Sequence, residues 1–425
     1  MVSLENTGKQ SSGAACTAFE HLATFDLDHI AGSQLVGVAR EAFRLGDVDF
    51  LCFGESDHPS PASAQIALKQ ALDAGQTRYP DIRGLPALRQ GLADYLSDLH
   101  QVDVDESRIA VTASGMAAIN VAFAALLREG DSAVLISPAW PNPGNLAALK
   151  GVNVREVGLE LGEQGFTLDL QALEAALPGA RVLFLNSPNN PTGWTASSEQ
   201  LQTILTLCRR FGVWIISDEV YSRLTYDESR AAPSMLEIAT ARDRLVVCNS
   251  FSKAWAMTGY RAGWLVVPEG QREKLGELIE LTHSGVAPFV QMAALAALQD
   301  KSFVEGFRDY CRTGREIVCA ALSGVPGITL HVPDAALYAF IRLDGVADSL
   351  GLAMALVQRH GVAIAPGSAF GAAGEGFIRV CFAQKPELLR RAMQRLAHGL
   401  EVELANRNPA QDIEPIQMRT AACLT

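Results

Sequence analysis

Between residues 60 and 265 the chain alternates short apolar runs with longer stretches that carry apolar residues at helical spacing. The runs at 109–112, 132–136, 182–186, 213–217 and 245–249 are β-branched or leucine-rich and do not alternate with polar residues. Strands of that kind are buried on both faces, as in a sheet covered by helices. Residues 117–128 and 197–210 predict two of the covering helices. The pattern predicts an α/β fold, doubly wound around a mostly parallel sheet. Further on, 271–300 reads as helix, 338–343 and 377–382 as strands, and 387–404 as a terminal helix. We expect a large domain over 55–300 and a smaller α+β domain formed by 21–54 and 301–404. Residues 1–20 and 405–425 lack periodicity and read as a disordered N-terminal tail and a loose C-terminal tail. There is no internal repeat or low-complexity segment.

Composition narrows the function classes. The 425 residues are 48% hydrophobic and 19% charged, enough for a large shared core. The longest apolar stretch, 117–127, is well short of the roughly 18 to 20 residues a membrane span needs. The first residues have a lysine but no apolar block of the signal-peptide kind. A net charge of −12 disfavours nucleic acid and anionic membrane as partners. The eight cysteines stand singly, without a C-x-x-C pair or a histidine at zinc-site spacing, so no metal is expected. They read as reduced thiols of a cytoplasmic protein.

In an open parallel sheet, ligands bind beyond the carboxyl ends of the strands. After 109–112 comes Ala113-Ser114-Gly115-Met116 and then helix. A glycine there exposes backbone N–H groups at a positive helix end, which suits a phosphate, although an ordinary α/β turn looks the same. After 182–186 comes Ser187-Pro188-Asn189-Asn190-Pro191-Thr192-Gly193. A surface turn explains its prolines and glycine, but adjacent asparagines also place donors in a crevice. After 213–217 come Asp218, Glu219, Val220 and Tyr221. A carboxylate buried at such a strand end needs a cation, whereas an Asp218 acting as helix cap does not. After 245–249 come Ser250, Phe251, Ser252 and Lys253, with Arg261 eight residues past the lysine. A lysine among small hydroxyl residues near an arginine suits covalent amine chemistry beside a phosphate, and a surface lysine is the plainer alternative.

Together the segments SPNNPTG, SDEVY and SFSKAWAMTGYRAG, in that order, closely resemble the class I and II aminotransferases of pyridoxal-phosphate fold type I, over residues 54–382. The resemblance implies a mostly parallel seven-stranded sheet covered by helices in the large domain. It implies that pyridoxal 5'-phosphate is carried on Lys253 as a Schiff base, and that Lys253 then moves the proton at the substrate carbon. Asp218 would pair with the ring nitrogen, Asn190 and Tyr221 with the ring's phenolic oxygen, and Trp140 would stack on the ring face. Ser250, Ser252 and Arg261 would hold the phosphate together with Ser114 and the amides of Gly115 and Met116. Tyr79 would reach the phosphate of a neighbouring subunit, which implies a homodimer with shared active sites. Arg379 would grip the substrate carboxylate, with Gly54 and Asn190 beside it.

The implied activity is a ping-pong transfer of an amino group from an L-amino acid to a 2-keto acid. The same fold and lysine also serve lyases, synthases and amine-oxidising enzymes. A sensor domain would need a DNA-binding module before residue 20, and a nicotinamide enzyme would need an early G-x-G-x-x-G; neither is present. Three departures from the family pattern border the site: Met116, Ser56 for the usual proline, and Ala335 for the usual glycine. His58, Trp255, His283 and Tyr338 are candidates for the side-chain pocket. No second arginine marks a dicarboxylic substrate, which points to neutral, aromatic or basic amino acids.

Overall fold

The computed structural model describes residues 34–406, all within one compact unit. In chain order its strands are β1 (Asp49–Phe50), β2 (Ile109–Thr112), β3 (Ser132–Ser137), β4 (Asn153–Gly162), β5 (Gly165–Leu168), β6 (Val182–Asn186) and β7 (Trp214–Asp218). There follow β8 (Leu245–Ser250), β9 (Gly263–Val266), β10 (Ile328–Leu330), β11 (Tyr338–Leu343), β12 (Val362–Ala363), β13 (Ala365–Pro366) and β14 (Phe377–Cys381). The expected strands are all present, each shifted by at most a residue or so at its ends. The expected tail at 1–20 and the segment 21–33 lie outside the described residues, as does 407–425 of the tail expected at 405–425, whose first residue, Ala405, ends the terminal helix Pro386–Ala405.

The large sheet has the order β2-β9-β8-β7-β6-β3-β4-β5. β4, β3, β6, β7 and β8 run parallel, and β9 is antiparallel to both β8 and β2. Seven strands form the body, and β5 extends it as a hairpin on the outer half of β4. Because the side chains of a strand alternate between faces, each strand divides its residues between two cores. Val134, Ile136, Leu183, Leu185, Ile215 and Val247 enter one core, while Ala133, Leu135, Val182, Phe184, Ile216 and Val246 enter the other. Both faces being covered explains why these strands read as unbroken apolar runs.

A second sheet, antiparallel and ordered β10-β11-β14-β13, is built from the C-terminal part. Its core takes in Ile341, Ile378, Val380, Leu396 and Leu400, and also Val38, Leu51 and Cys52 from before the large sheet. β1 pairs in parallel with β12, which fixes the segment leading into Cys52 and Gly54.

One expected element divides. Residues 271–300 form two helices, Arg272–His283 and Pro288–Gln299. Ser284 and Gly285 have positive φ, and Pro288 opens the second helix, where its missing N–H costs nothing. The apolar content of the stretch is continuous, but its backbone preferences are not.

Candidate active site

β3, β6, β7 and β8 are parallel, and β2 points the same way because β9 is antiparallel to both β2 and β8. The turns after Thr112, Ser137, Asn186, Asp218 and Ser250 therefore open on one edge of the sheet. The register aligns them: Asn186 lies opposite Asp218, and Gly263 lies opposite both Thr112 and Ser250. Local sequence puts a polar residue at each strand end, and the sheet brings the ends together.

Lys253 follows β8 in a turn and is partly buried, its Nζ donating a hydrogen bond to the carbonyl of Gly54. That nitrogen lies 6.0 Å from the centre of the Tyr221 ring. Burial pushes the Lys253 ammonium down to about 8, and the nearby Arg379 acts in the same direction. Asp218, 7% exposed, closes β7. Burial pushes its carboxyl up to about 7, with Glu219 adding to the effect and the Val220 N–H and Lys253 opposing it. Its carboxylate accepts from Val220 N at 3.3 Å.

Behind Asp218, the buried Glu219 carboxylate accepts from Ser217 Oγ (2.9 Å), Ser234 Oγ (2.7 Å) and Met235 N (3.1 Å). Asn186 ties two strand ends together: its Nδ2 donates to the Asp218 carbonyl at 3.1 Å and its Oδ1 accepts from Asn190 N at 2.8 Å. Nothing but its polarity at the end of an apolar run hints at this in the sequence.

Ser114 caps the helix Gly115–Leu126, its Oγ accepting from Ala117 N. A Cβ on Gly115 would meet the Ser250 Cβ at 3.3 Å, so this helix start lies directly against Ser250. Ser250 Oγ in turn accepts from Ser252 N at 3.2 Å. Ser114, Gly115, Ser250 and Ser252 are thus gathered around one helix N-terminus. Arg261 stands apart: it is exposed, has φ of 57°, and donates to the Thr258 carbonyl at 2.7 Å. Met116 and Trp140 are partly buried against the same core. Trp140 N donates to the Asn190 carbonyl at 2.9 Å, joining the turns after β3 and β6.

Arg379, on β14 and 2% exposed, reaches the site from the second sheet. Nη1 donates to Asn190 Oδ1 at 2.9 Å and Nη2 to the Cys52 carbonyl at 2.6 Å, while Nε is buried without a partner. The guanidinium lies 4.3 Å from the ring centre of Tyr338 and 4.8 Å from that of Phe370. Tyr338 and Tyr221 share a hydrogen bond between hydroxyls at 2.8 Å. Gly54 must be a glycine here, because a Cβ would collide with the Tyr338 hydroxyl.

Of the pocket candidates, only Tyr338 contacts this group. Trp255 is a core residue, its Nε1 bonded to the Ala297 carbonyl at 3.1 Å, and His58 sits among Phe303, Phe307 and Tyr310. His283 accepts from Ala113 N at 3.3 Å, one residue before Ser114. Ser56 Oγ accepts from His58 N within its own turn, and Ala335 is fully buried beside Gly193. Tyr79 is 93% exposed and takes no part in the site of its own chain. Phe370 and Cys52, which flank Arg379, carried no signal in the sequence.

The family model for aminotransferase class I and II matches residues 47–396. An aspartate aminotransferase of Pyrococcus horikoshii is 32% identical over 380 residues, covering 88% of this chain and 96% of that protein. An arginine–pyruvate transaminase of Pseudomonas aeruginosa is 32% identical, covering 83% of this chain and 89% of its own. The solved structure of an aspartate aminotransferase from Thermotoga maritima superposes with a TM-score of 0.81 at 30% identity, covering 88% of this chain and 98% of that one.

Proposed function

Because the chain belongs to the class I and II aminotransferases, which move an amino group from an amino acid to a 2-keto acid with pyridoxal phosphate, we propose the following division of that work among its residues. When bound, the cofactor supplies an electron sink for the bond broken at the substrate carbon. The residues present fit such a group on three counts. Asp218 is a buried carboxylate with no ion pair among the described residues, and a protonated ring nitrogen would supply a cation. The start of the helix Gly115–Leu126, with Ser250 and Ser252 against it, has the donors and the positive end that a phosphate needs. Lys253 follows β8, which in the sheet order lies between β7, ending at Asp218, and β2, leading into that helix.

Lys253 carries the proton at the substrate carbon. With its ammonium pushed down to about 8, it gives and takes a proton near neutral pH, the condition for general acid–base work. Asn190 and Tyr221 orient the ring through its oxygen, and Trp140 covers one face. Ser114, Gly115, Met116, Ser250 and Ser252 hold the phosphate, with Arg261 as a further partner. Arg379 receives the substrate carboxylate beside Gly54 and Asn190, where its buried Nε lacks an acceptor. Residues 55–300 form the cofactor-holding part, and 21–54 with 301–404 the part that brings Arg379.

The assembly is a homodimer in which Tyr79 serves the neighbouring site, a reading supported by its 93% exposure. The protein is cytoplasmic, in keeping with six described cysteines that are all free thiols. Among the described residues no helix is long and apolar enough to cross a membrane.

The burial of Asp218 beside Lys253 at one strand edge carries this reading. Its test is a visible spectrum of purified protein loaded with pyridoxal phosphate, before and after anaerobic addition of an amino acid. We expect the cofactor band to bleach with release of the matching keto acid, and Lys253→Ala to slow this by at least about 100-fold. Release of ammonia or peroxide with the band unchanged overturns it.

A further inference from the structure

Tyr338 opens β11 on the second sheet and is 1% exposed. It touches three parts of the site. Its hydroxyl shares a hydrogen bond with the Tyr221 hydroxyl at 2.8 Å, and the two rings meet edge-on with centres 5.7 Å apart. The same hydroxyl fills the space that a Cβ on Gly54 would need, and the Gly54 carbonyl accepts from Lys253 Nζ. The face of the Tyr338 ring lies against the Arg379 guanidinium, 4.3 Å from the ring centre.

Backbone contacts hold the two tyrosines together. Ala336 N donates to the Leu224 carbonyl at 2.9 Å, and Ala335 bridges to Thr225, so the segment leading into Tyr338 pairs with the segment leaving Tyr221. On its other side Tyr338 lies opposite Cys381 in the pairing of β11 with β14. A phenol can accept one hydrogen bond while donating another. Tyr221, with its own proton given to the ring oxygen of the cofactor, is then free to accept from Tyr338, and donors in series strengthen one another. Burial pushes the Tyr338 hydroxyl up to about 12 and that of Tyr221 well above its ordinary value, so both keep their protons near neutral pH.

We infer that Tyr338 is a positioning residue for the amine chemistry of Lys253: its hydroxyl donates to Tyr221 and strengthens the bond that Tyr221 makes to the cofactor's ring oxygen. The inference rests on the assignment of Tyr221 made above. A stronger donor at the ring oxygen takes up negative charge that would otherwise favour a proton on the nitrogen joining Lys253 to the cofactor. That nitrogen then loses its proton at lower pH. The other groups that act on Lys253 are Arg379 and Cys381 from β14, Asp218 from the end of β7 and Glu55 from the segment after β1. Loss of the Tyr338 hydroxyl leaves all of them in place.

The test is a pH titration of the visible cofactor band in loaded protein, read without substrate. Tyr338→Phe should move the midpoint up by about half a unit to one unit, the shift that one hydrogen bond is worth. Tyr221→Phe should move it up by at least as much. In Tyr221→Phe protein, adding Tyr338→Phe should move it no further, because the effect runs through Tyr221. The phenylalanine keeps the ring that packs against Arg379, so cofactor-free Tyr338→Phe should melt close to the parent. An unchanged midpoint in Tyr338→Phe overturns the inference, as does the same shift whether or not the Tyr221 hydroxyl is present. A midpoint unmoved by Tyr221→Phe overturns the assignment of Tyr221, and the inference with it.

Discussion

Asp218 shows how one residue can be costly to the chain that carries it. Its folded carboxyl is pushed from 3.8 to about 7, so between those values the folded protein holds a proton that the unfolded chain has lost. Stability therefore falls as pH rises through that window; the cost is absent below 3.8 and complete above 7. Asp218→Asn, prepared without cofactor, should melt higher than the parent at pH 8, by an amount worth about 2–4 kcal/mol, and no higher at pH 3.5. Its affinity for pyridoxal phosphate should fall. Thermal scans of both proteins at the two pH values check this, and an equal difference at both sinks it. Asp218 was legible as a candidate from its place after an apolar run. Its burial was not, because that depends on other segments packing around it, among them Asn186 at the end of β6.

At the scale of elements, the helix start at Gly115 and the strand β9 meet at Gly263. A Cβ there would stand 2.6 Å from the Ser114 carbonyl carbon, 2.7 Å from Gly115 N and 2.9 Å from the Asn249 carbonyl oxygen. All three are backbone atoms, so a methyl group can only drive the strand and the helix apart. Gly263→Ala should cost about 1–3 kcal/mol and weaken retention of the cofactor band on dialysis. Gly259→Ala, where nothing lies within 4 Å of the added Cβ, should change neither. A Gly259 variant as damaged as the Gly263 one would show that backbone freedom, and not space, is what matters. The segment TGYRAG contains both glycines and does not distinguish them, because the crowding at Gly263 is supplied by Ser114 and Gly115, some 150 residues away. In the same way, the break at Ser284 and Gly285 was hidden by the continuous apolar content around it.

At the scale of the molecule, the site exists only where the second sheet meets the edge of the first. Arg379 finds Asn190 across 189 residues and Cys52 across 327. If Tyr79 completes the site of a neighbouring copy, sedimentation should give about twice the 45.5 kDa of one chain. Tyr79→Phe should then loosen the cofactor several-fold without changing the melting temperature of cofactor-free protein. A monomer that retains cofactor fully would reject the shared site.

The sequence by itself determined the strands and most helices, because burial on both faces of a sheet and on one face of a helix leaves a periodic imprint on nearby residues. It also placed Ser114, Asn190, Asp218 and Lys253 just past strand ends, where a parallel sheet must put its ligands. Tertiary structure alone decided that Arg379 lies between Tyr338 and Phe370, that Arg261 faces solvent, that Trp255 belongs to the core, and that Gly263 has no room for a side chain. Each of these depends on contact between segments far apart in the chain, and such contacts leave no local pattern: they are set by strand order, register and the meeting of two sheets.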